Sequence, residues 1–269
     1  MFFDNLFPFK TAAPGIHYSS MFELSISVDG ENADCMAGLY NGMLAAVRRA
    51  DGVIIRDECS PRCSVSLACE DDRREPLLIA LTDHLSEVVV NNFKLKFLKK
   101  NSRVPKGNPV NYNAFITALL TFDREWDKEI VARELFYGRE LSLDGFYNFR
   151  LKELRERWRE VCKLASENAG YLEHPDTFTE LLRFLVGSAD SRIDAVSAVK
   201  EGAFYLLFDG DDQPLDRAAL HVEEEITDET ILPALIRLSP KLLTFYRDGA
   251  PGEILYLIKN LYGDNAEIF

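Results

Sequence analysis

Apolar and polar residues alternate over residues 22–28, and this period of two predicts a half-buried strand. Over residues 34–50 the apolar side chains instead recur every three or four positions, which predicts an amphipathic helix. The pattern continues with short strands at 53–56 and 64–69, a second helix from Glu75-Pro76 to about residue 91, and a closing strand at 95–98. The first hundred residues therefore predict a small β-α-β-β-α-β unit.

Helical spacing dominates the middle of the chain. Residues 112–135 predict one or two helices with an aromatic-rich buried face, Asp144 is predicted to cap a long helix that follows it, and a short helix begins after Pro175. The last third returns to a mixed pattern, with predicted strands at 195–201, 203–208, 241–247 and 266–269, helices at 227–238 and 251–262, and a turn at 209–214.

These patterns predict an α+β fold with a small N-terminal mixed αβ unit, a helical middle and a C-terminal αβ unit with a mixed sheet. Residues 99–109 contain two prolines, one glycine and four basic side chains, as linkers often do. The predicted organisation is therefore an N-terminal domain at 1–98, a linker at 99–109, a helical region at 110–190 and a C-terminal region at 191–269.

Composition and charge narrow the class of protein. The 269 residues are 47% hydrophobic and 28% charged, which excludes collagen-like and wholly disordered chains. Lys and Arg total 31 against 44 Asp and Glu, a net charge of −13, and residues 111–269 carry −12 of it. An acidic chain repels polyphosphate at long range, so general nucleic-acid binding is not expected.

The chain has the features expected of a cytoplasmic protein. Five cysteines without a repeated Cys-x-x-Cys spacing do not form a disulfide framework, and no segment reads as a signal peptide or membrane span. Cys59 and Cys63 have one spacing that zinc accepts, but Cys35 and Cys69 supply no second pair. We therefore predict no metal and no cofactor, and we interpret Cys69 as a small buried side chain.

Residues 143–263 contain several ordered blocks: LDGFYNFRLKELRERW, TFTELLRFLV, FYLLFDGDDQPL, ILPALIRLSPKLLTFYRD and IKNLYGD. In this order they resemble the YtxC-like family of sporulation proteins of endospore-forming bacteria. The resemblance implies a link to sporulation. It implies no reaction and no catalytic residues, so no functional position is transferred to this chain.

Two charged segments are candidate sites. Asp209, Asp211 and Asp212, together with Glu223, Glu224 and Glu225, provide the carboxylates that hard cations prefer, although turn and helix-start roles are the favoured interpretation. In the basic run 94–106, which includes Lys96, Lys99 and Lys100, basic residues alternate with apolar ones. This pattern could bind an anionic surface. It could also protect an exposed sheet edge from pairing with another chain, and this second interpretation is favoured.

A third candidate is the charged helix around Trp158, with Arg155 and Arg159 beside it. Internal packing is the favoured interpretation of its apolar stripe, and a partner helix is the alternative.

The leading hypothesis is a non-enzymatic interaction or scaffold role in sporulation. A protein partner is expected, but the sequence identifies neither this partner nor the oligomeric state. One alternative is a metal-assisted hydrolase that uses the two carboxylate groups. Another is binding to an anionic surface or nucleic acid through residues 94–106.

Overall fold

The computed structural model describes residues 20–58, 61–187, 193–215 and 225–269. Within these residues the chain forms two mixed four-stranded sheets and ten α-helices, which confirms the predicted α+β fold. Three strands of the first sheet belong to the N-terminal part, and the second sheet belongs to the C-terminal part.

The N-terminal elements follow the predicted pattern. They are strand β1 (Met21–Asp29), helix α1 (Asp34–Arg49), strands β2 (Val53–Asp57) and β3 (Arg62–Glu70), and helix α2 (Arg74–Val88). Strands β1, β2 and β3 pair in antiparallel fashion. Alternate side chains of β1 and β3 are buried in one core with α1 and α2, so the period of two identifies the inner face correctly.

The predicted closing strand at 95–98 is wrong, because the chain stays helical. A π-helical segment (Val89–Lys94) continues α2 directly into helix α3 (Leu95–Asn101). Leu95 and Phe97 alternate as in a strand, but Leu95 and Leu98 have a helical spacing, and four residues are too few to separate the two. Of the predicted linker, only residues 102–108 lie outside a helix, and Val104 within them is buried.

The first sheet is instead completed by a strand that lies much later in the chain. Helices α4 (Pro109–Thr121) and α5 (Arg124–Glu134) precede strand β4 (Glu140–Ser142), which pairs in parallel with residues 25–27 of β1. The side chain of Asn108 starts α4 by accepting hydrogen bonds from Val110 N and Asn111 N at 2.9 and 3.2 Å.

The long helix predicted after Asp144 is two helices, α6 (Leu143–Phe149) and α7 (Lys152–Glu167). The N-cap is Ser142, whose Oγ accepts from Gly145 N at 3.3 Å, so the predicted capping by Asp144 is wrong. The Asp144 carboxylate accepts from Asp29 N at 2.7 Å and Asn32 Nδ2 at 3.1 Å instead, and it ties α6 to the end of β1. Helix α8 (Pro175–Gly187) follows as predicted.

The second sheet contains the C-terminal strands in the order β6-β5-β7-β8. Strand β5 is antiparallel to β6 and parallel to β7, which is parallel to β8. The elements are β5 (Ile193–Glu201), β6 (Phe204–Asp209), α9 (Ile231–Leu238), β7 (Pro240–Phe245), α10 (Gly252–Tyr262) and β8 (Ala266–Ile268), close to the predicted spans. Short 3₁₀ segments lie at Gly30–Asn32, Asp71–Arg73, Ala169–Glu173 and Gly263–Asn265.

Helices α9 and α10 cover one face of the second sheet. Helix α10 connects the parallel strands β7 and β8, whereas α9 connects β6 to β7, which run in opposite directions. Leu235 of α9 and Ile258 of α10 share a core with Val196, Ala198 and Phe245 of the strands, so both helices lie on the same side of the sheet. Helices α4 and α8 enlarge this core.

A buried ion pair joins the helices between the two sheets. The Lys94 side chain is only 1% exposed, and its ammonium donates to Asp127 Oδ2 at 2.5 Å and to the carbonyl oxygens of Leu120 and Phe122 at 3.0 and 2.8 Å. Trp158 Nε1 donates to Asp127 Oδ1 at 3.2 Å. We call this arrangement the Lys94 clamp; it connects the π-helical segment, the end of α4, α5 and α7.

Burial sets the electrostatics of the clamp. It lowers the pKa of the Lys94 ammonium, and the adjacent Asp127 carboxylate opposes this shift. Burial likewise raises the pKa of Asp127, against the attraction of Lys94 and the hydrogen bond from Trp158. Each charge offsets the desolvation of the other, so removing either partner is expected to destabilise the fold.

An aromatic row packs beside the clamp. The Phe93 and Tyr147 ring centroids lie 5.0 Å apart, Tyr147 stacks on Trp158 at 6.3 Å, and Phe97 meets Trp158 edge-on at 5.7 Å. Phe93 belongs to the first core and Trp158 to a smaller cluster beside it, so the row links neighbouring cores around the clamp.

Lys94→Met and Asp127→Leu are each expected to lower the free energy of unfolding by about 3–5 kcal/mol, because each leaves a buried charge without its partner. The double variant is expected to lose about 1–3 kcal/mol less than the sum of the single variants. Urea unfolding followed by circular dichroism measures all four free energies, with Lys163→Met on the exposed side of α7 as the control. Strictly additive losses would contradict the paired role.

Candidate functional site

The second sheet has an apolar face opposite helices α9 and α10. Its register places alternate side chains on this side: Leu206 opposite Val199, Phe204 opposite Glu201, and Leu242 opposite Ala195. We call this surface the open face, and it consists of Ala195, Ser197, Val199, Glu201, Phe204, Leu206, Phe208, Leu242 and Thr244.

Large apolar side chains of the open face are in contact with solvent. Phe204 is 40% exposed, Leu206 38% and Leu242 58%. A single exposed leucine is ordinary, but adjacent strands that present several together mark a surface suited to a partner. The aromatic rings of Tyr246 and Phe269 extend the surface past the end of β7; both are exposed, and their centroids lie 5.9 Å apart.

Continuous apolar runs in the sequence indicate this second apolar face, which the prediction of strands alone does not identify. Residues 204–208 read Phe-Tyr-Leu-Leu-Phe, and residues 242–243 are Leu-Leu. A strand with one solvated face alternates apolar with polar residues, whereas a continuous apolar run is typical of a strand with two covered faces. Here only Tyr205, Leu207 and Leu243 point into the core.

Acidic groups surround the open face. Glu201 lies on it, and Glu267 is paired across from Thr244 at its other side; both are exposed. Lys241 and Asp194 alternate with Leu242 and Ala195 and therefore lie on the other side of the sheet, where Lys241 donates to Asp194 Oδ1 at 2.6 Å and lowers the pKa of Asp194. The turn after β6 adds Asp211 and Asp212.

The predicted acidic site at this turn is organised by its own backbone. Asp209 Oδ1 accepts from Asp211 N at 2.9 Å and from Gln213 N at 2.8 Å, while Asp212 has a left-handed φ of 57°. These bonds are those of an aspartate turn, the favoured interpretation of the sequence. Glu225 is described, but Glu223 and Glu224 lie outside the described residues.

The basic run 94–106 does not form one surface. Lys94 is inside the clamp, and Lys96 donates to Glu31 O at 2.7 Å and Asn32 Oδ1 at 2.6 Å, so it joins α3 to the N-terminal unit. Lys99 and Lys100 are exposed in the last turn of α3. The blunted sheet edge predicted for this run is wrong, because the residues are helical rather than extended.

Trp158, predicted as a possible partner contact, lies inside the protein. Its side chain is 1% exposed and is held by Asp127, which agrees with the internal packing favoured by the sequence. Arg155 donates through Nη2 to Asn148 O at 2.8 Å and lies 5.2 Å from the Tyr147 ring centroid, whereas Arg159 is exposed. The indole itself is therefore unavailable to a partner.

The described cysteines are buried free thiols: Cys35, Cys63, Cys69 and Cys162. Burial raises the pKa of Cys35 to about 12 and that of Cys162 to about 11, so both remain neutral near pH 7. Cys59 and the histidines His17 and His221 lie outside the described residues. Among the residues that are described, His, Cys, Asp and Glu form no group of three suited to a metal ion.

Comparison with known families identifies the chain. The model of the YtxC-like family matches residues 88–267, about two thirds of the sequence. The chain belongs to the YtxC-like family. This confirms the suspected resemblance and extends it toward the N-terminus from the 143–263 segment that carried it.

The family segment contains the main features of the site. It begins one residue before the π-helical segment that carries Lys94 and includes both Asp127 and Trp158 of the clamp, as well as the second sheet up to residue 267. Strands β1, β2 and β3 precede it.

The other comparisons found no counterpart. No curated protein matches the chain, and no solved structure matches it. In the described part of the chain, no helix combines the length and apolar character needed to cross a membrane.

Asp209→Ala is expected to lower the free energy of unfolding by about 1 kcal/mol, because two backbone N–H groups lose their acceptor. Asp211→Ala in the same turn is the matched control and is expected to change stability by less than about 0.5 kcal/mol. Thermal unfolding measures both. Equal effects for the two variants would contradict the turn role of Asp209.

Proposed function

We propose that the protein is a non-enzymatic interaction protein of sporulation that binds a protein partner through the open face. The observation that carries the proposal is the exposure of Phe204, Leu206 and Leu242 on one sheet face, on strands β6 and β7 that flank β5. Family membership supports the link to sporulation.

The chemistry of the buried polar groups also supports a binding role. The three donors of the Lys94 ammonium are each engaged by an acceptor, so its nitrogen is committed to the fold. Cys35 and Cys162, which burial keeps in the neutral form, are poor nucleophiles. These buried groups are therefore committed to the interior of the fold and not to a reaction at its surface.

The rigidity of the strands suits them to binding. Strand β5 is hydrogen-bonded on both sides, to β6 and to β7, and its inner residues Val196 and Ala198 are buried in the largest core. A surface on such a sheet loses little conformational entropy when a partner binds, which favours affinity.

When the tagged double variant Leu206→Ser, Leu242→Ser is purified from sporulating cells, the amount of partner recovered with it is expected to be at least tenfold lower than for the wild type. The reason is that two apolar contacts are removed. Its thermal midpoint should stay within a few degrees of the wild type, since both side chains are exposed. Quantitative mass spectrometry of the recovered proteins provides the measurement.

The matched control is Ile79→Ser, Leu164→Ser, which removes exposed apolar side chains from α2 and α7. This control is expected to recover the same partner in the same amount as the wild type. A partner that is lost equally from both double variants, or from neither, would show that the open face is not the binding surface.

A further inference from the structure

We propose that the partner segment is a basic amphipathic helix, whose apolar stripe lies along the open face and whose Lys or Arg residues meet the surrounding carboxylates. This inference rests on the proposed function, since it names the chemistry of the partner for the same surface. Three features carry it: the dimensions of the face, the position of its apolar residues and the sign of the charges around them.

The dimensions fit one helix. Strands β6, β5 and β7 are neighbours, so at about 4.8 Å per strand spacing the apolar area is about 10 Å wide, close to the diameter of a helix with side chains. Strand β6 has six residues and spans about 20 Å, which corresponds to about 13 residues of helix at 1.5 Å per residue.

The large apolar residues follow a diagonal across the face. Leu206 and Val199 are cross-strand neighbours on β6 and β5, and Leu242 on β7 lies opposite Ala195, four residues from Val199 along β5. A helix stripe of leucine-like residues at positions i, i+3, i+4 and i+7 matches this area, as in other helix-and-groove complexes.

The charges around the face select a basic partner. Glu201 lies at one end of the β5–β6 hairpin, Glu267 borders β7 on the far side, and Asp211 and Asp212 lie in the turn after β6. The surface is therefore acidic where a helix seated on it would place its flanking side chains.

Charge also argues against two other occupants. A second copy of the chain would bring one acidic border against another, and each copy carries a net charge of −13. An anionic membrane surface would be repelled by the same carboxylates. A basic helix satisfies the apolar residues of the face and its acidic border together.

The test uses an 18-residue Leu/Lys peptide with its leucines at helical a and d positions, labelled with a fluorophore and titrated with the full-length protein. Two comparison peptides have the same leucine content: a scrambled Leu/Lys peptide without a stripe, and a Leu/Glu peptide with the stripe. Fluorescence anisotropy gives each Kd. We expect the striped Leu/Lys peptide to bind at least tenfold more tightly than either comparison peptide.

Protein variants separate the apolar and charged contributions. Leu206→Ser, Leu242→Ser is expected to raise the Kd at least tenfold. Glu201→Gln, Glu267→Gln is expected to raise it about threefold to tenfold and to reduce its dependence on salt. The controls, Ile79→Ser, Leu164→Ser and Glu156→Gln, Glu160→Gln, change exposed residues of α2 and α7 and are expected to leave the Kd unchanged.

Each alternative has a distinct result that would overturn the inference. Equal binding of the scrambled Leu/Lys peptide would show that the interaction depends on the net charge of the peptide and not on its apolar stripe. Sedimentation showing a dimer that Leu206→Ser, Leu242→Ser abolishes would identify a second copy as the occupant. Binding to phosphatidylglycerol vesicles that the same variant abolishes would identify a lipid surface.

Failure of this inference can be distinguished from failure of the proposed function. If the peptide does not bind but the cellular partner is still lost from the Leu206→Ser, Leu242→Ser variant, the partner chemistry is wrong and the interaction surface stands. If the peptide binds only through the open face, but the Leu206→Ser, Leu242→Ser variant recovers the cellular partner as well as the wild type does, the proposed function is wrong.

Discussion

The ammonium of Lys94, held away from water by three oxygen acceptors, constrains the arrangement of the helices between the two sheets. Two of these acceptors are carbonyls at the end of α4, and the third belongs to Asp127 on α5, which also receives the Trp158 indole from α7. A buried charge of this kind has few tolerable environments, so it favours one helix arrangement over others that would leave it unpaired. The π-helical segment that carries it adds a wide turn between α2 and α3.

The helix arrangement determines which surfaces remain available. Helices α4 and α8 enlarge the core beneath α9 and α10, so the helices gather on the inner face of the second sheet. The opposite face keeps its apolar side chains at the surface, and Leu242 is more exposed than Leu206. A surface of this kind carries a solubility cost that a binding role explains.

Local pattern predicted most of the elements and little of their assembly. Alternation identified β1, and helical spacing identified α1 and α10, because each depends on residues close in sequence. The three-residue strand β4 was missed because its pairing with β1 joins residues more than a hundred positions apart. The clamp was missed for a related reason: a lysine in a basic run is normally solvated, and only the tertiary fold brings Asp127 to it. The open face was visible as an apolar run, but its exposure depends on where the helices pack.

Site-specific photo-crosslinking in sporulating cells tests the central claim, that the open face of the second sheet is the binding surface. A photoreactive amino acid placed at Leu206 or Leu242 is expected to give one discrete crosslinked product, the same for both positions. The same group at Ile79 or Leu164, which are also exposed but lie on α2 and α7, is expected to give none. A product that appears equally from Ile79 or Leu164, or from neither of the open-face positions, would contradict the account.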